Sequence, residues 1–114
     1  MDRHGNTLKS EANILNQILV ALSEAGCLVF RQDTGAYKDP VSGRLIKYGL
    51  CKGSSDVIGV APDGRFLAVE VKTAKGAVRP EQVRFIEAVR AKGGRAGVAR
   101  SPEDALRIAK GETE

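Results

Sequence analysis

Tryptophan is missing from this chain, histidine occurs once and cysteine twice. The remaining aromatics, Phe30, Phe66, Phe85, Tyr37 and Tyr48, are scattered along the sequence, so no aromatic cluster for stacking bases is visible. His4 stands alone near the N-terminus, which takes a histidine general base out of consideration. Cys27 and Cys51 match no zinc or redox spacing and read as two small buried or half-buried thiols, with no disulfide expected in a reducing compartment. No apolar run approaches the roughly 20 residues needed to cross a bilayer. The N-terminus lacks the apolar stretch of a secretory signal, so an intracellular, cytoplasmic protein with no membrane contact is the expectation.

At 114 residues, 42% hydrophobic and 28% charged, the chain 1–114 is the size of one domain with a real core. Its net charge of +4 is distributed unevenly. Lys75, Arg79, Arg84, Arg90, Lys92, Arg95 and Arg100 form a basic stretch interrupted by Glu81 and Glu87, and the tail from Ser101 onwards is net acidic. A basic band beside carboxylates would draw a phosphate backbone towards them. A solvated helix face with spare arginines would look the same in sequence.

Apolar residues at helical spacing predict a first helix over Leu8–Ala25, stopped by Gly26. Cys27–Arg31 reads as a short strand. Residues 32–53 are rich in Gly, Lys and Asp and read as a long mobile connection, with room for a short strand over Arg44–Tyr48. Two β-branched runs, Ser54–Val60 and Phe66–Lys72, flank a Pro62-Asp63-Gly64 turn and predict a hairpin. Thr73–Val78 is a loop. Pro80 suits the first position of a helix ending near Ala91, before Gly93-Gly94. A strand over Arg95–Ala99 and a last helix over Glu103–Lys110, capped by Ser101, complete an α/β domain with a small mixed sheet flanked by helices.

The charges of the hairpin are the most informative feature. Folding about the turn brings Asp56 opposite residue 69 or 70, depending on turn type. Glu70 and Lys72, two apart, share a face of their strand. Two carboxylates and an ammonium would meet in one patch of an apolar hairpin, which is costly unless they are paired or metal-bound. Such a patch makes a divalent-cation site beside a group able to handle a proton. The helices repeat the anomaly. Glu11 falls in the same arc as Leu8, Leu15, Ile18 and Leu22, and Gln82 projects among Phe85, Ile86 and Val89. Local rules tend to fail where a site is built.

Asp56 followed by Glu70-Val71-Lys72 resembles the split Asp…Glu-x-Lys signature of the PD-(D/E)XK nucleases, with their restriction-endonuclease-like core. Gly53-Ser54-Ser55-Asp56-Val57-Ile58-Gly59, Glu70-Val71-Lys72-Thr73, Arg79-Pro80-Glu81-Gln82 with Phe85, and Gly94-Arg95-Ala96-Gly97-Val98-Ala99 together resemble the VRR-NUC (virus-type replication-repair nuclease) family within them. Glu11 is similar to that family's first-helix glutamate. Ser55 stands where the superfamily's name has proline.

The resemblance implies hydrolysis of DNA phosphodiesters with Mg²⁺ or Mn²⁺. Asp56, Glu70, the Val71 carbonyl and Glu11 would hold the ion. Lys72 would act as base or electrostatic stabiliser, and Gln82 would orient Lys72 or the water. Arg31, Lys47, Lys52, Lys75, Arg79 and Arg84 are the candidates for gripping phosphates, reading shape and not sequence. Short stand-alone members of phage or bacterial type imply a homodimer, active in the host cytoplasm, that cuts four-way (Holliday) junctions or related branched DNA in repair. The competing expectations are a restriction-like enzyme, a non-catalytic DNA-binding module on the same fold, and an interaction domain whose carboxylates are ion-paired.

Overall fold

A computed structural model describes residues 10–112 of the chain. The start of the first predicted helix at Leu8, and His4, lie outside the described residues. Helix α1 (Glu11–Glu24) begins at Ser10, whose hydroxyl accepts the Asn13 N–H at 3.2 Å and so satisfies one of the orphan donors of the first turn. Ile14, Leu15, Ile18 and Leu22 form its buried stripe.

Strand β1 (Leu28–Arg31) pairs antiparallel with β4 (Val57–Val60), and β4 pairs antiparallel with β5 (Phe66–Val71). The turn joining β4 to β5 closes through Ala61 N–H to the Arg65 carbonyl and Gly64 N–H to the Ala61 carbonyl. Gly64 has φ +92°, a conformation that a residue with a Cβ adopts only with strain. Helix α2 (Pro80–Ala91) crosses from β5 to β6 (Arg95–Ala99), which runs parallel to β5. Helix α3 (Pro102–Lys110) follows, capped by Ser101, whose hydroxyl accepts the Asp104 N–H. The result is a four-stranded mixed sheet in the order β1-β4-β5-β6.

Alternation along β5 sorts its residues to the two sides of the sheet. Leu67, Val69 and Val71, with Val57 of β4, pack into the cluster built by α1 and α3. Ala68, with Ala96 and Ile86, packs under α2. Ile18 and Leu22 are fully buried, and truncating either to Ala would cost about 2–5 kcal/mol. Helix α2 packs against β5 and β6, so on that side Leu28 and Phe30 of β1, Val60 of β4 and Phe66 at the start of β5 remain exposed.

The segment 32–53 corrects the expectation of a mobile connection. Besides the predicted strand β3 (Leu45–Tyr48) it contains β2 (Gly35–Lys38), and the two pair antiparallel as a separate two-stranded ribbon. Every residue of β3 is exposed. Apolar periodicity could not reveal β2, because Gly35-Ala36-Tyr37-Lys38 faces no core. Cys27 is buried and Cys51 exposed, both as free thiols, so the expectation of burial fails for Cys51.

Candidate active site

Val57 lies opposite Val69 in the β4–β5 ladder, which places Asp56 opposite Glu70. Of the two registers open from sequence, the turn selects this one. Both residues project on the α2 side, at the end of β5. Asp56 is partly buried, and its carboxylate accepts the Val71 N–H at 2.9 Å. Glu70 is buried. Its Oε2 accepts from the Gln82 side-chain amide at 2.9 Å and lies 3.8 Å from the Lys72 ammonium, whose side chain is itself mostly covered.

Gln82 is where sheet and helix meet. It is buried in the first turn of α2, as its position among apolar residues predicts. Its Oε1 accepts the Arg79 N–H at 2.9 Å, capping the helix, while its Nε2 reaches Glu70. One amide thus fixes the helix start and one oxygen of the acidic pair. The start of α2 also presents its partial positive charge near that pair.

The other Glu70 oxygen, Oε1, is buried and has no hydrogen-bond partner. Burial, followed by the charge of Asp56, pushes the Glu70 carboxyl up to about 8, against the pull of Lys72. The charge of Glu11 adds to the upward push, so the first turn of α1 is within electrostatic reach of Glu70. Glu11 itself is exposed, which corrects the expectation that it lies on the buried stripe. It occupies the first helical position, where the helix has only begun to run against the sheet.

Among the described residues no group of three or more His, Cys, Asp and Glu side chains gathers closely enough to hold a metal ion unaided. The acidic pair nevertheless fits a hard divalent cation. An orphaned buried oxygen beside a second carboxylate supplies lone pairs that no protein donor meets, and a bound cation would offset the charge that burial and Asp56 otherwise hold back on Glu70. Mg²⁺ in particular takes one or two carboxylates and completes its shell with water and phosphate oxygens.

A cleft of about 750 Å³ opens beside this pair, between the ribbon and the start of α2, and Asp56 and Gln82 line it. Lys47, Lys52 and Arg79 line it too, whereas Arg31, Lys75 and Arg84 do not. Arg31 pairs with Asp33 at 3.5 Å, and Arg79 with Glu81 at 3.1 Å. Three members of the basic stretch have structural work. Arg90 donates to the Ala96 carbonyl, Arg95 to the Ala109 carbonyl and Asp63, and Arg100 to the Thr73 and Gly76 carbonyls.

Two further polar residues, Gln32 and Ser55, are buried, and the residue pattern marks neither as inward. Gln32 follows β1, and its backbone N–H donates to the Asp56 carbonyl at 2.7 Å. Its side-chain amide donates to the Ser54 hydroxyl and the Ser55 carbonyl and accepts from the Thr34 hydroxyl and the Leu50 N–H. Gln32 thereby ties both feet of the ribbon to the segment carrying Asp56. The only available signal was an amide directly after an apolar strand, and that is common at strand ends.

Comparison with known proteins follows the same outline. The model of the family described as "VRR-NUC domain" matches residues 7–103. A solved structure described as a VRR-NUC domain is 23% identical, with a TM-score of 0.59 over 88% of this chain and 94% of that one. No curated protein matches.

Proposed function

This chain belongs to the VRR-NUC domain family and so has a nuclease-type, DNA-processing function; from that premise we propose that it is a metal-dependent, structure-selective DNA endonuclease acting on four-way junctions or related branched DNA. The observation that carries the metal-dependent part is the orphaned Glu70 Oε1 beside Asp56, with Lys72 at 3.8 Å and Gln82 at 2.9 Å from the other oxygen. An ion-paired interaction domain would satisfy its buried carboxylate with protein donors. This site leaves one buried Glu70 oxygen without a protein donor, beside Asp56, which lines a cleft together with Lys47, Lys52 and Arg79.

In this reading Asp56 and Glu70 would hold Mg²⁺ or Mn²⁺, with the Val71 carbonyl and Glu11, directly or through water, completing the set. The bound ion would polarise the scissile phosphate and lower the pKa of a coordinated water. Gln82 fixes Glu70 in place. Lys72, held against Glu70 at 3.8 Å, would act as a cation or a proton acceptor towards the pentavalent phosphate. Lys47, Lys52 and Arg79 grip the backbone on either side. Arg31, Lys75 and Arg84 would serve only a duplex that extends beyond the cleft.

Selectivity for branched DNA is what the family resemblance implies, and cleft contacts made by lysine and arginine to phosphates would read shape and not sequence. A homodimer would present two such sites to a symmetric junction. The apolar strip Leu28, Phe30, Val60 and Phe66 beside α2 is a surface suited to a second copy.

The test incubates purified protein with a labelled four-way junction and the matching linear duplex, each with Mg²⁺, Mn²⁺ or chelator, beside Lys72→Ala. The expected result is metal-dependent cutting of the junction, absent in the variant. Cutting of both DNAs alike would retain the chemistry and reject junction selectivity. No cutting in any metal would favour a DNA-binding module on a nuclease fold.

A further inference from the structure

The β2–β3 ribbon is built in a way that neither the core nor the acidic pair requires. Isolated two-stranded hairpins are marginal in water, yet this one is braced at both ends. At its feet, Gln32 takes Leu50 N–H and the Thr34 hydroxyl, and Gly49, with φ +86°, lies so close to the Asp33 carbonyl that no side chain would fit. At its tip, Asp39 N–H donates to the Arg44 carbonyl and Gly43 N–H to the Asp39 carbonyl, while the Asp39 carboxylate accepts from Ser42. The ribbon is a firm arm.

Its two faces differ. Cross-strand partners share a face, so Gly35 with Tyr48 and Tyr37 with Ile46 lie on one side, and Ala36 with Lys47 and Lys38 with Leu45 on the other. The first side gathers Tyr37, Ile46 and Tyr48, which are 55%, 38% and 50% exposed. The Tyr48 ring occupies the space a Cβ on Gly35 would take, so the bare glycine lets the ring settle over the strand. The second side carries Lys38 and Lys47. The two carboxylates near the ribbon are engaged, Asp33 by Arg31 and Asp39 by Ser42. The cations of the arm are thus left to meet an external anion. Tyr48 and Lys47 both reach the cleft that contains Asp56.

The geometry points to a stacking platform: Tyr37 and Tyr48, supported by Ile46, receive unpaired bases of DNA flanking the cleavage point, while Lys38 and Lys47 on the opposite face hold phosphates elsewhere on the same DNA. This rests on the DNA-processing reading and adds to it the element that senses structure. Paired bases inside a duplex present no face to such a platform, whereas a flap, a single strand or base pairs unstacked at the crossing point of a junction do. Charge complementarity on the second face, and continuity with the cleft, favour nucleic acid over a second copy of the chain as the occupant.

The chain has no tryptophan, and Tyr37 and Tyr48 are its only tyrosines. Its tyrosine emission therefore reports on this ribbon alone. The experiment titrates full-length protein in chelator, where no cutting is expected, with a four-way junction, a single-stranded oligonucleotide and a fully paired duplex. Emission, affinity and light scattering are read together. Strong quenching by the junction and the single strand, and little by the duplex, is expected. Tyr37→Ala and Tyr48→Ala should each weaken binding to branched or single-stranded DNA by about tenfold or more. Their effect on duplex binding should be smaller, and the Phe variants should retain most of the affinity.

Equal quenching and equal loss on the duplex would overturn base stacking in favour of phosphate contact. Unchanged affinity in both Ala variants, with circular dichroism showing a native fold, would remove the ribbon from the DNA surface. A dimer that falls apart on Tyr37→Ala without loss of DNA affinity per protomer would assign the face to a second copy. Parallel incubation of the wild type with Mg²⁺ separates the two claims. Quenching without cutting would keep the platform and reject the nuclease, and cutting without quenching the reverse.

Discussion

Glu70 is held in its site by its neighbours although its own ionisation opposes it. Its carboxyl is raised from 4.5 to about 8, first by burial and then by Asp56. Because the folded-state value lies above the unfolded one, the stability due to neutral Glu70 is complete below about pH 4.5 and is lost as pH rises through about 8. Thermal melts in chelator should therefore show a falling midpoint from pH 5 to pH 9, and added Mg²⁺ should recover most of the loss at the alkaline end, because an ion that binds only the folded, ionised pair stabilises it. Glu70→Gln should flatten the chelator profile and abolish the recovery; a profile unchanged by that substitution would place the pH dependence elsewhere. A second prediction concerns chemistry. Asp56→Ala, Glu70→Ala and Lys72→Ala should each cut at least about 10²–10⁴-fold more slowly, with native circular dichroism and DNA affinity within a few-fold in chelator. Variants that lose fold and binding together would make the cluster structural.

Elements differ in what holds them. The loop after β5 has almost no apolar burial, and Arg100 supplies the missing contacts by donating to the Thr73 carbonyl at 2.6 Å and the Gly76 carbonyl at 2.8 Å. Hydrogen bonds from a charged donor contribute about 1.5–3 kcal/mol. Arg100→Ala should lower urea stability by roughly that amount and raise amide exchange across 73–78, with little effect on DNA affinity. A large affinity loss without a stability loss would return Arg100 to the phosphate-binding set. The helices and β4–β6 were legible in the sequence because their periodicity records burial on one face: α2 and β6 begin and end where spacing predicts, and α3 differs by one residue. Strand β2 was not legible. Its residues have neither a core face nor a strong strand preference, and only the partner strand and the Gln32 bracket define it.

For the molecule as a whole, the charge of +4 matters less than where it is placed. Lys47 and Lys52 of the segment 32–53 and Arg79 before α2 line the cleft together, while Arg90, Arg95 and Arg100, part of the basic stretch that stands out in sequence, hold strands, helices and a loop to each other. Binding to a junction in chelator should weaken linearly on a log–log plot against salt, with each of Lys47→Ala, Lys52→Ala and Arg79→Ala lowering the slope by about 1. Arg90→Ala should leave the slope unchanged, and a slope sensitive to Arg90 and indifferent to the cleft cations would relocate the DNA path. Among the described residues no helix is long and apolar enough to cross a membrane. The sequence by itself determined the hairpin, the facing of Glu70 with Lys72 and the inward turn of Gln82, because strand and helix periods dictate which side a residue takes. Tertiary structure alone decided that Asp56 meets Glu70 and that one Glu70 oxygen is left without a donor. It also decided that two distant tyrosines share a ribbon face, and which basic residues line the cleft. Those outcomes depend on register and on the packing of segments far apart in the chain, and no local period encodes them.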